Sequence, residues 1–151
     1  MKKIAIAAAL LFGMTSTAQA GVVTVWGESV SGDVRTNINN FYSSLAGHSS
    51  SVASGQLDTV SLAATNLLWA TQPADSYSVA ELNTMASFLA NGGRIAFMGE
   101  HGSYSPNQNI RINAALAFLG STISIVNTAL DSGFRSASVA DGQILSHALT
   151  S

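Results

Sequence analysis

Between Leu67 and Met98 the chain switches from one hydrophobic period to another and back, and this alternation restricts the fold more than any other feature. Leu67-Leu68-Trp69-Ala70-Thr71 is a short apolar run. Gln72-Pro73 ends it, because proline lacks a backbone donor and disfavours helix at the residue before it. Ser78-Val79-Ala80-Glu81 then has the form of a capping box, in which hydroxyl and carboxylate satisfy each other's backbone amides. Val79, Leu82, Met85, Ala86 and Leu89 follow as the predicted buried stripe of a helix, and Asn91-Gly92-Gly93 stops it. Arg94-Ile95-Ala96-Phe97-Met98 is a second apolar run, closed by Gly99. A strand, a helix and a strand at this spacing form a right-handed parallel crossover.

The flanking sequence extends the pattern. Gly21-Val22-Val23-Thr24-Val25-Trp26 is β-branched and nearly continuous in apolar character, as in a strand buried on both faces. Val34, Ile38, Phe41, Tyr42 and Leu45 predict an amphipathic helix capped by Asp33 or Ser31 and closed by Gly47. The serine-rich passage after His48 supports at most a weak edge strand, and Asp58 to Ala64 fits strand and short helix equally. Gly99 to Gln108 reads as a loop in which Asn107 and Asn109 cap the next helix. Ile110, Ile112, Ala115, Leu116 and Leu119 form that helix's face, and Thr122-Ile123-Ser124-Ile125-Val126 reads as one more strand. The expected architecture is α/β, a parallel sheet layered between helices on both faces.

Residues 1–20 stand apart. Lys2 and Lys3, the apolar segment Ile4 to Met14, and Ala18-Gln19-Ala20 have the parts of a secretory signal peptide, and the apolar segment is far shorter than the roughly 20 residues that span a bilayer. Cleavage after Ala20 leaves residues 21–151 as one expected α/β domain in the periplasm, at the cell surface or secreted. That domain carries Arg35, Arg94, Arg111 and Arg135 against eight acidic residues, so a run of phosphates or an anionic membrane surface is a poor partner. The chain has no cysteine, which excludes disulfides, thiolate metal sites and a cysteine nucleophile.

Function is narrowed mainly by exclusion. Gly27-Glu28-Ser29-Val30-Ser31-Gly32-Asp33 lacks the lysine of a phosphate loop and the glycine spacing of a dinucleotide fingerprint, and its acids would repel a phosphate. No G-x-S-x-G elbow occurs. His48, His101 and His147 have no local metal-ligand spacing, so neither a metal nor a cofactor is expected. Trp26 and Trp69 default to core packing, with a sugar-stacking platform as the minor reading. Glu100-His101 places an acid and an imidazole at the carboxyl end of a strand, where open α/β sheets bind ligands. Gly27, Glu28, Thr71 and Gln72 lie at other strand ends, and Tyr104, Asn107, Asn109 and Arg111 would line the same rim.

Leu67 to Pro73, Tyr77 to Leu82 with Phe88 to Arg94, and Phe97-Met98-Gly99-Glu100-His101 together resemble exported bacterial proteins with a class I glutamine amidotransferase-like domain. Ile144 to Thr150 is similar to the H-P-hydrophobic-T segment of such domains. The resemblance implies a three-layer flavodoxin-like fold, and a cysteine in the elbow after the strand. Here that elbow is Gly99-Glu100-His101-Gly102-Ser103, so cysteine-dependent glutamine hydrolysis is excluded. Relatives of this exported architecture resemble surface proteins that end in a Pro-Glu-Pro sorting signal with an anchor. None precedes Ser151, so the expectation is either a fragment, incomplete at its C-terminal end, or a free periplasmic or secreted protein. The leading expectation is a non-catalytic module binding a small polar or carbohydrate ligand. The alternatives are a hydrolase using Glu100 and His101 as acid and base, and a structural surface domain without ligand.

Overall fold

The computed structural model describes residues 21–27, 32–100 and 105–126. The signal-peptide residues, Glu28, Ser31, His101, Tyr104 and the segment Ile144 to Thr150 lie outside the described residues. The elements are β1 (Gly21–Trp26), α1 (Gly32–Ser44), β2 (His48–Ala53), a single 3-10 turn at Leu57–Thr59, β3 (Leu67–Thr71), α2 (Val79–Ala90), β4 (Arg94–Met98) and α3 (Pro106–Phe118). All strand pairs are parallel, in the order β2-β1-β3-β4. This is a flavodoxin-like α/β fold, in which the strand order reverses direction between β1 and β3.

Alternation along β1 divides its side chains between two layers. Trp26 points the same way as Leu68 and Ala70 and packs with Leu57, Met85 and Phe88, so the 3-10 turn and α2 cover that face. Val23 and Val25, of opposite parity, are buried too, and α1 packs against β1 and β2. Two right-handed crossovers leaving in opposite directions place α1 and α2 on opposite faces. No described helix is long and apolar enough to cross a membrane.

The serine-rich passage is the expected edge strand, and it pairs with β1 along all six residues of His48–Ala53. Several details differ from the sequence reading. Asp58 to Ala64 resolves into the end of the 3-10 turn and irregular chain. Asp33 lies within α1, and Ser31, the other expected cap, lies outside the described residues. The buried stripe of α2 is Glu81, Met85 and Phe88, whereas Val79 and Leu89 are exposed. Glu81 takes an inner position because its carboxylate accepts from Ser78 N (2.9 Å) and Leu57 N (3.2 Å). The α3 helix begins at Pro106, a residue suited to a first turn, and Ile110 faces solvent.

Thr122–Val126 is not a strand. Its β-branched composition suits a ladder, but the Asn113 side chain takes both backbone groups of Ile125, accepting from N at 2.7 Å and donating to O at 2.8 Å. Ile123 and Val126 are left exposed. Strand propensity is realised only where a neighbour offers a pleated, half-buried surface.

Candidate functional site

The carboxyl ends of β1, β3 and β4 meet where the strand order reverses. Gly27 follows β1 and lies against Thr71. A side chain at Gly27 would collide with the Thr71 hydroxyl and carbonyl, so only glycine permits this approach. The Thr71 hydroxyl donates to Trp26 O at 3.3 Å. Its proton is committed to a carbonyl, and no described group stands beside it as a base, so Thr71 is a structural tie between two strand ends.

Gln72 extends the β3–β4 ladder by one bond, donating from its backbone N to Met98 O at 2.6 Å. It then turns to φ 38, the only positive-φ non-glycine residue among those described. Sequence reasoning from Pro73 predicts extended backbone here, and the structure departs from it. The turn aims the Gln72 side chain across the sheet end, where Nε2 donates to Glu100 Oε2 at 2.9 Å. Gln72 is 8% exposed and Thr71 3% exposed, so both sit under the rim. The Gln72 Oε1 accepts no hydrogen bond among the described residues and is a ready acceptor.

Glu100 is fixed from the other side. Asn109, buried within α3, accepts from Glu100 N at 3.2 Å and donates to Glu100 O at 2.8 Å. This corrects the expected capping role. The cap position is Ser105, which makes no side-chain cap bond, and Asn109 clasps the β4 exit instead. Gly99 allows the clasp, since a Cβ there would strike the Asn109 amide oxygen.

Two guanidinium groups reach the same strand ends. Arg35 Nη1, from the first turns of α1, donates to Gly27 O at 2.7 Å, and its buried Nε has no partner among the described residues. Arg111 Nη1, from α3, donates to Pro73 O at 2.9 Å. Arg111 belongs to the expected rim, whereas Arg35 went unnoticed. Its signal is position: a residue in the first turns after a buried strand must lie at that strand's carboxyl end.

Of the nominated residues, Gly27, Thr71, Gln72 and Glu100 are brought together. Glu28, His101 and Tyr104 lie outside the described residues, so the acid–imidazole pair has only its acid placed. Asn107 is on the exposed side of α3. Trp26 is core, with its Nε1 donating to Gly55 O at 2.7 Å. Trp69 is half-buried in β3 and its buried Nε1 has no partner among the described residues. The arrangement offers a carboxylate, an amide and two guanidinium groups on a rigid sheet end, the polar set that orients a small ligand. Searches against family models, curated proteins and solved structures returned no match.

Proposed function

We propose that this chain is an exported, non-catalytic α/β module that binds a small polar or carbohydrate ligand at the carboxyl ends of β1, β3 and β4. The observation that carries the reading is Gln72. Its left-handed backbone precedes a proline, and its side chain is spent on Glu100 across the strand end. Backbone strain of this kind persists where the surroundings over-determine it, and it concentrates at ligand-binding sites.

The proposal extends to kinship with class I glutamine amidotransferase-like domains that have no nucleophile. The flavodoxin-like strand order supports it, and the absence of cysteine restricts the kinship to domains without that nucleophile. Export rests on the lysines, apolar segment and small residues of positions 1–20.

The test is a thermal-shift screen of residues 21–151 against amino acids and neutral monosaccharides, repeated with Gln72→Ala, Glu100→Gln and His101→Ala. A hit on the parent chain should weaken by roughly ten- to a hundredfold in Glu100→Gln, the worth of one hydrogen bond to a charged group. If Glu100→Gln and His101→Ala leave both affinity and melting temperature unchanged, the site lies elsewhere.

A further inference from the structure

A concavity of about 620 Å³ opens at the opposite, amino end of the sheet, between the segment 60–66 and α2. That volume lies within the range of ordinary small-ligand sites. Its floor is the Phe88 ring, which lies over Gly93 so closely that any side chain there would strike it. Val60 and Leu62 supply an apolar wall. None of the residues lining it is ionisable.

The polar groups follow a pattern. Asn83 and Ser87 on α2 and Asn91 at its C-cap recur every four residues, so they form one stripe about 12 Å long. Among the described residues the Asn83 amide and the Ser87 hydroxyl make no hydrogen bond. Asn91 spends its Nδ2 on Ser87 O at 2.9 Å and keeps Oδ1. Across the groove, Asn66 Oδ1 accepts from Val22 N at 2.8 Å and keeps Nδ2. The unspent groups therefore include both donors and acceptors, and no charge.

We propose that this groove binds a short neutral saccharide, at a second site independent of the one at the carboxyl ends. A sugar hydroxyl donates once and accepts twice, and amides and hydroxyls of mixed polarity on two walls match that demand. An anion or a cation would be partly desolvated here with no opposite charge to meet it. The apolar floor and wall suit the carbon face of a sugar ring.

The experiment is amide NMR titration of residues 21–151 with millimolar cellotetraose and chitotetraose, against tetragalacturonate and an uncharged Gly/Ser peptide. A neutral saccharide should shift amides in 60–66 and 83–93 and leave those of Thr71, Gln72 and Glu100 unmoved. Ser87→Trp, at an exposed helix position, should fill the groove and abolish the response. Asn83→Ala, which raises helix propensity and so guards against misfolding, should weaken it about two- to tenfold, the range for one net hydrogen bond. Glu100→Gln should leave it unchanged. The proposal is overturned if neither saccharide moves the groove amides, if Ser87→Trp binds as well as the parent, or if tetragalacturonate or the peptide binds equally. Shifts confined to the carboxyl ends would also overturn it, while supporting the first site.

Discussion

A residue before proline is pushed toward extended backbone, and a non-glycine residue at positive φ carries a further penalty, so Gln72 opposes two local preferences at once. What holds it is the ladder bond to Met98 O on one side and Glu100 on the other. Comparing Gln72→Gly with Gln72→Ala isolates the strain, since both remove the same side-chain bond. Glycine should be the more stable of the two by about 0.5–1 kcal/mol, a left-handed penalty of roughly 1–2 kcal/mol less the extra unfolded-state entropy of glycine. Urea unfolding of the two variants measures this, and an alanine variant equal to or more stable than the glycine variant would show the backbone unstrained. The site was only partly legible at this scale. Thr71, Gln72 and Glu100 were findable because short apolar runs end at them. Arg35 was findable only from its place after a buried strand, and the clasp by Asn109 was not, because no motif or period marks a side chain that binds a backbone group nine residues away.

Elements held together by local bonds behaved as their sequences required. The Ser78–Glu81 box forms as read, with Glu81 N donating to Ser78 Oγ at 3.2 Å and Ser78 N to Glu81 Oε2 at 2.9 Å. Ser78→Ala should therefore destabilise the protein by about 1 kcal/mol, read as a lower urea midpoint with an unchanged slope. No change in midpoint would mean that α2 is held by packing alone. The same box explains where the stripe of α2 was misread. Glu81 also takes the Leu57 amide, so its turn of the helix faces inward and Val79 is carried out to solvent. Periodicity shows that a helix has an apolar face, but a buried carboxylate with two partners can rotate that face by a residue.

At the scale of the whole molecule, β1 and β3 lie between neighbours, while β2 is an edge among the described strands and its Val52 is 46% exposed. Native-state hydrogen exchange should place the hydrogen-bonded amides of β1 and β3 at the slow, global limit and those of β2 well above it. Equal protection of β1 and β2 would mean that the edge is covered in solution. The sequence by itself determined the alternation of strands and helices, the glycine and proline stops, and the capping box, because each depends on residues within one or two turns of chain. It also determined that these residues carry no thiol. Only the tertiary structure decided that Thr122–Val126 stays out of the sheet, that the serine-rich stretch after His48 pairs along its whole length, and that Gln72 reaches Glu100. Those outcomes turn on which backbone groups find partners across long chain separations, and neither period nor propensity encodes them.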